Sequence, residues 1–143
     1  MHADTIALLK ECTAGIDLTL STINDLLPST KDRNLRQRLQ DNAADQKQLR
    51  DHACALLHRC GGKEKSPGTW LMGMTHLKNS ARMAVRGDDT TIAYLVADGC
   101  DLGIKALSRS QNRHCMADPA AIQLSQELIR CQEGLSARLR PYL

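Results

Sequence analysis

Five stretches of the chain place apolar residues at alternating steps of three and four, which is the spacing of one face of an α-helix. These repeats cover residues 6–27, 35–60, 70–84, 92–106 and 128–139. The third repeat is shorter than the first two and follows a polar loop at 63–68. The pattern predicts an all-α fold with four long helices and one shorter helix that connects the second long helix to the third.

Proline, glycine and capping residues mark the predicted helix ends. Pro28 stops the first helix because proline cannot donate to the helical ladder, and Ser29 or Thr30 is predicted to cap the second. Gly61 and Gly62 are typical of a helix C-terminus. The remaining helices are predicted to begin at Ser66-Pro67, at Asp88 or Asp89, and at Asp118-Pro119.

Helix count and chain length together predict the architecture. The 143 residues fit a single domain, 1–143, and four long helices with a shorter connector favour a ferritin-like four-helix bundle with a crossover. An irregular five-helix domain is the alternative. The chain has no Phe, one Trp and two Tyr, so Leu, Ile, Ala, Met and Cys must fill the core.

Charge and hydropathy exclude several classes of partner. The net charge of +3 comes from Lys and Arg scattered among carboxylates. A clustered basic face, which is typical of nucleic-acid binding, is not indicated. The N-terminus lacks the pattern of a signal peptide, and no apolar run reaches the roughly 20 residues that span a bilayer. We therefore expect a cytoplasmic protein whose six cysteines are thiols, with no nucleic-acid or membrane partner.

One region resembles a known signature. The run 87–92, Gly-Asp-Asp-Thr-Thr-Ile, followed by Gly-Cys-Asp at 99–101, is similar to the Gly-Asp-Asp turn and Gly-Glu-Asp helix of an uncharacterised bacterial family of ferritin-like bundles. Residues 68–78 resemble the crossover segment of that family, and Gly15-Ile16 fits its N-terminal pattern. The resemblance implies the same ferritin-like four-helix bundle over nearly the whole chain.

Two kinds of metal site, a di-iron centre and a zinc site, are possible in a helical bundle of this kind. Carboxylate-bridged di-iron bundles use a Glu-x-x-His pair on two helices, and no Glu in this chain stands three residues before a His. Cys54 and His58 are four residues apart and can share a helix face, but zinc needs two further ligands. The metal candidates are Asp17, Asp45, His52, Cys54, His58 and Asp101, and the favoured interpretation gives them ordinary surface and packing roles without a cofactor.

Thiol chemistry is the other alternative, because six cysteines are many for this length. A reactive thiol requires nearby positive charge and exposure. Cys115, beside His114, is the first redox candidate, and Cys60, beside Arg59, is the second. Packing as small apolar side chains is the favoured interpretation of the cysteines in a core without Phe.

Four polar residues fall on the apolar faces of their helices: Thr13, Asn42, Gln46 and Gln132. Buried, they are expected to bond across the bundle and fix its register, or to line a small pocket or an association surface. No nucleophile motif or phosphate-binding loop is present. The chain is therefore predicted to be a non-enzymatic, self-associating scaffold or interaction module, with a metal or thiol-redox protein as the alternative.

Overall fold

The computed structural model describes residues 2–62 and 88–143, and in these two ranges the chain forms α-helices, short 3-10 turns and no strand. The helices are α1 (His2–Leu26), α2 (Arg33–Arg59), α3 (Asp89–Arg113) and α4 (Pro119–Leu139). The predicted all-α class is confirmed. The predicted loop at 63–68 and the short helix that follows it lie outside the described residues.

The four helices form a bundle in which neighbours are antiparallel. α1 packs against α2 and α3, and α4 packs against the same two helices on the other side. Asp89, at the start of α3, is hydrogen-bonded to the backbone at the start of α2. At the opposite end, Asp4 and Thr5 of α1 accept hydrogen bonds from the backbone N–H groups of Met116 and Asp118 between α3 and α4.

The two residues that border the undescribed segment lie at opposite ends of this bundle. Gly62 follows α2 and lies against Leu57 and Ile6, near the start of α1. Asp88 precedes α3 at the other end. Since α2 has 27 residues, the two ends are about 40 Å apart along the helix axis.

Buried apolar side chains fill the bundle in three clusters along its axis. Ile23, Leu35 and Leu135 belong to the cluster at one end. A central cluster contains Cys12, Ile16, Leu107 and Leu128. Leu8, Leu57 and Leu124 belong to the cluster at the other end. Among the described residues, the buried apolar side chains of the three clusters are those of Leu, Ile, Val, Ala and Cys.

The helix ends confirm three predicted signals and correct one. Gly61 follows α2 with φ +73, Asp88 caps α3 by accepting from the Thr91 N–H, and Pro119 begins α4. The predicted cap of α2 at Ser29 or Thr30 is wrong. Leu27–Ser29 forms a 3-10 turn, and the Thr30 hydroxyl donates to the carbonyl of Leu26. Asp32 caps α2 instead, with its carboxylate accepting from the Leu35 N–H.

The predicted inner face of α3 is also corrected in part. The apolar repeat at 92–106 places Leu102 on the inner face together with Ile92 and Leu95, but Leu102 is 40% exposed. The buried residues lie on the adjacent face of the helix and include Val96, Gly103 and Leu107. Gly103 has no side chain, so a hydropathy pattern gives no apolar signal at this buried position.

Candidate functional site

A surface groove of about 560 Å³ runs between α2 and α4. Its α2 wall consists of Asn42, Asp45, Gln48, Leu49 and His52. Its α4 wall consists of Glu127, Arg130, Cys131, Gly134, Leu135 and Arg138. The α2 wall covers about ten residues, which corresponds to about 15 Å of helix or roughly three turns. The volume lies within the range of protein binding sites, about 300–1,000 Å³.

The groove has carboxylates on both walls and guanidinium groups on one. Asp45 stands on the α2 wall, and Glu127, Arg130 and Arg138 stand on the α4 wall. Among the residues that the structure describes, Asp45, Arg130 and Arg138 form no ion pair and no side-chain hydrogen bond. The α2 wall therefore presents one carboxylate, and both guanidinium groups lie on the α4 wall.

Gly134 lies midway along the groove on α4. A Cβ built at this position would meet no atom within 4 Å, so neither packing nor a tight turn requires glycine here. Glycine inside a helix costs about 0.5–1 kcal/mol relative to alanine, because its backbone loses more conformational freedom on folding. The missing side chain leaves open space along the groove and allows another chain to approach the α4 backbone.

Cys131 forms part of the groove floor. The Asn42 amide donates to both the carbonyl oxygen and Sγ of Cys131, at 3.2 Å in each case. Burial, and secondarily the carboxylate of Asp45, raise the pKa of the Cys131 thiol to about 11. The thiol is consequently protonated near neutral pH and is a poor nucleophile there.

The predicted polar centre is buried, but its members do not form one connected network. The Gln46 amide donates to Asn42 Oδ1 at 2.8 Å, which joins these two residues to Cys131 on α4. Thr13 instead donates to the carbonyl of Lys10 in its own helix. Gln46 Oε1 and Gln132 Nε2 are buried without a hydrogen-bond partner.

Gln132 is among the lining residues of a second, much smaller pocket of about 10 Å³, whose surface is almost wholly apolar. Its lining residues come from α1, α3 and α4, and they include Thr19, Thr22, Gly99 and Cys100. The predicted polar residue Gln132 thus lines a small pocket inside the bundle.

The metal candidates are distributed over different surfaces. Asp45 and His52 line the groove, whereas Asp17 of α1 pairs with Arg50 of α2, with Oδ1 and Nε 2.5 Å apart. Asp101 is exposed on α3, which is not packed against α2. In residues 2–62 and 88–143 no group of three or more His, Cys, Asp or Glu side chains is placed to hold a metal ion.

The two zinc candidates on α2 have different surroundings. Cys54 is partly buried, and its sulfur lies 3.5 Å from Nη1 of Arg50. His58 is exposed. The two side chains therefore lie in different environments. Among the described residues, no further ligands are placed to complete a zinc site with them.

The redox candidates differ in accessibility from the packed cysteines. Cys115 is exposed in the turn between α3 and α4, and Cys60 is partly buried at the end of α2. Cys12 and Cys100 are buried, as predicted, and burial raises the pKa of each thiol to about 12. Cys115 is thus the most accessible of the six thiols.

Several groove residues were not singled out in the sequence. Arg130 and Arg138 look like ordinary solvated charges in an amphipathic helix, and their joint position depends on the contact between α2 and α4. Gly134 carried a usable signal, because a glycine within an otherwise regular helical pattern calls for a local explanation. That signal indicates that some group can come close to the α4 backbone, but it does not identify the group.

Comparisons of the chain with models of protein families, with curated proteins and with solved structures give no match. Among the helices that the structure describes, none combines the length and apolar character needed to cross a membrane.

Proposed function

We propose that the protein is a non-enzymatic, ferritin-like helical bundle of the cytoplasm that acts as a self-associating interaction module. The groove between α2 and α4 is the docking surface in this proposal, and a second copy of the chain is its occupant. The observation that carries the proposal is Gly134, whose missing side chain opens the groove although the fold does not require glycine there.

The ferritin-like part of the proposal rests on helix directions. Neighbouring helices are antiparallel, and Gly62 and Asp88 lie at opposite ends of the bundle. A chain that leaves α2 at one end must return to the other end before α3 begins. A connection of that kind is a feature of ferritin-like bundles.

The charges of the groove favour a second copy as the occupant. In a dimer with a twofold axis parallel to the helices, the α2 wall of one copy faces the α4 wall of the other. Asp45 lies close enough to Cys131 to influence its thiol, so Asp45 stands at nearly the same level as the adjacent residue, Arg130. The symmetry therefore brings Asp45 against Arg130 of the partner subunit, twice in each dimer.

Sedimentation velocity over a range of protein concentrations tests the proposal. The wild-type protein is expected to shift from a 15.8 kDa monomer to a dimer as its concentration rises. Gly134→Trp fills the groove and is expected to weaken the dimer by about tenfold or more, which corresponds to about 1.4 kcal/mol. Ala137→Trp adds the same bulk at an exposed position outside the groove lining and is the matched control.

Charge reversal provides a second test that does not depend on bulk. Asp45→Arg and Arg130→Asp are each expected to weaken the dimer, because each places like charges opposite one another. Combining the two substitutions restores the opposite-charge pairs and is expected to restore the affinity. A wild-type protein that stays monomeric at every concentration, or a double variant no better than the single ones, contradicts the proposal.

A further inference from the structure

Three side chains that bind metals follow one another in the turn between α3 and α4: the imidazole of His114, the thiol of Cys115 and the thioether of Met116. The Ala117 N–H donates to the His114 carbonyl at 3.1 Å, which closes a four-residue turn. Cys115 and Met116 therefore occupy the two central positions of this turn. None of these residues lines the groove, so the turn is separate from the surface proposed for self-association.

Both sulfur-containing side chains of the turn are accessible. The structure describes all six cysteines, and Cys115 alone among them is exposed. Met116 is 58% exposed. Exposed side chains change rotamer within nanoseconds, so the thiol and the thioether can turn towards one ion with little loss of packing.

The imidazole of His114 is held by a carboxylate. Its Nδ1 lies 3.5 Å from Oδ1 of Asp4, and the two side chains are 19% and 29% exposed. The other carboxylate oxygen of Asp4 accepts from the Met116 N–H at 3.1 Å, so one aspartate positions both the ring and the turn. Metal-bound histidines almost always direct their second ring nitrogen at a carboxylate, a carbonyl or water. The contact with Asp4 therefore leaves Nε2 as the nitrogen available to an ion.

The electrostatic surroundings of the turn favour a cation. The turn directly follows the C-terminus of α3, a helix of 25 residues, and the last carbonyl groups of a helix carry partial negative charge. The Asp4 carboxylate adds a full negative charge beside His114. Arg113 precedes the turn, but it is exposed, so solvent and salt screen its charge.

The ligand types determine which cation fits. Thiolate and thioether are soft ligands that suit Cu(I), whereas Mg²⁺, Ca²⁺ and Mn²⁺ prefer oxygen. Zinc sites usually have four ligands from Cys, His and carboxylate side chains, so a set of three that includes a thioether is a poor zinc site. Met116 thus distinguishes this turn from the zinc candidates on α2.

We propose that the turn at 114–116 is a binding site for one Cu(I) ion, held by Nε2 of His114 and by the sulfur atoms of Cys115 and Met116. Asp4 is a positioning residue that orients the imidazole. Cys115 binds as the thiolate, so its proton passes to the solvent as the ion enters, and no electron is transferred.

Anaerobic competition with the chelator bathocuproine disulfonate tests the proposal, with Cu(I) supplied as its acetonitrile complex. The wild-type protein is expected to hold one ion tightly, and Cys115→Ser is expected to lose it. Cys60→Ser removes a partly buried thiol outside the turn and is the matched control, which should keep the ion.

Two further variants separate the proposed site from binding by the thiol alone. Asp4→Asn keeps an oxygen acceptor for the Met116 N–H but removes the charge beside the imidazole, and it is expected to weaken Cu(I) binding by about 10–100-fold. Met116→Leu keeps an apolar side chain of similar size but removes the thioether. It is expected to weaken binding more than Asp4→Asn does, because it removes a ligand rather than a group that orients one.

Nuclear magnetic resonance of the methionine ε-methyl groups gives a direct second measurement, because Cu(I) is diamagnetic. The chain has five methionines, and Met116→Leu identifies the resonance of Met116. One equivalent of Cu(I) is expected to shift that resonance and to leave the other four in place. A Met116 resonance that does not move as Cu(I) binds overturns the proposal. So does a Cys115→Ser or Met116→Leu protein that has native helix content and binds Cu(I) as tightly as wild type.

Discussion

The carboxylate of Asp89, at the start of α3, accepts a hydrogen bond of 2.7 Å from the backbone N–H of Asp32 at the start of α2. Its other oxygen accepts from the N–H of Lys31 at 2.9 Å. The preceding residue, Asp88, has a different role, since it caps α3 by accepting from the N–H of Thr91. Two adjacent aspartates therefore hold the start of one helix and attach it to the start of another.

Asp89→Ala is expected to lower the free energy of unfolding by about 1 kcal/mol, since two backbone N–H groups lose a charged acceptor but remain accessible to water. Urea denaturation followed by far-ultraviolet circular dichroism measures the change. Asp98→Ala, at an exposed position on the same helix, is the control and is expected to change stability by less than about 0.5 kcal/mol. Equal effects of the two substitutions would show that the link between α2 and α3 is not stabilising.

The cap at Asp88 predicts a dependence on acid. Hydrogen bonds from the backbone N–H and then the hydroxyl of Thr91 lower the pKa of this carboxyl from its usual value of 3.8. The folded state therefore binds the proton less readily than the unfolded state, so the stabilisation is present above that value and is lost as the pH falls through the lowered pKa.

Asp88→Ala should accordingly destabilise the protein more at about pH 6 than at about pH 2.5. Parallel urea titrations of wild type and variant at both pH values measure the two differences. Thr91→Val keeps the backbone N–H but removes the hydroxyl, and it should reproduce only part of the pH dependence. A wild-type advantage that is the same at both pH values would contradict the predicted role of the carboxylate.

Much of the fold was predictable because the relevant signals are local. Gly61 adopts the positive φ that glycine permits, and Asp88 and Pro119 occupy standard positions at helix starts. Asn42 and Gln46 were correctly expected to be buried, because they interrupt an apolar repeat without changing its spacing. Each of these inferences needs only a few neighbouring residues.

The errors arose where several local choices were equally good. Ser29, Thr30 and Asp32 are all competent helix caps, and the 3-10 turn through Pro28 decides among them. On α3, apolar residues lie on two adjacent faces of the helix, and either face could have been the buried one. Gly103 is buried but has no apolar side chain, so its burial could not be read from the hydropathy pattern.

The full linings of the groove and of the small pocket could not be predicted, because they depend on which helices become neighbours. Asp45 and Arg130 are 85 residues apart in sequence and share a surface only because α2 packs against α4. The cavity similarly requires Thr22 of α1, Cys100 of α3 and Gln132 of α4 to meet. Helical periodicity specifies the inner face of each helix but not the partner of that face.

The corrected face of α3 can be tested with two leucines of one helix. Leu107→Ala is expected to cost about 3 kcal/mol, because it removes a fully buried side chain and leaves a cavity in the central cluster. Leu102→Ala should cost less than about 1 kcal/mol, since the side chain is already partly in water. Chemical denaturation of both variants provides the comparison. Similar losses would mean that Leu102 belongs to the core after all.

Thiol accessibility predicts an order of reactivity. Cys115 is exposed, so it should react first with Ellman's reagent at about pH 8. Cys12 and Cys100 should react only on unfolding, because both are buried and their pKa values of about 12 keep them protonated. Mass spectrometry of partly labelled protein identifies the sites. Cys115→Ser should abolish the fastest phase, and a fast phase that survives in this variant would contradict the assignment.

The same buried thiols predict that alkali destabilises the fold. Burial, with a smaller contribution from Glu11, raises the pKa of Cys12 from 9.0 to about 12. Above about pH 9 the unfolded state loses this proton while the folded state keeps it, so the free energy of unfolding falls as the pH rises towards 12.

In Cys12→Ala the loss of stability between about pH 8 and pH 10 should be smaller than in wild type by about 1 kcal/mol. Urea titrations at the two pH values measure it, with Cys115→Ala as the exposed control. If wild type and Cys12→Ala lose the same stability over this interval, the buried thiol does not govern the alkaline response.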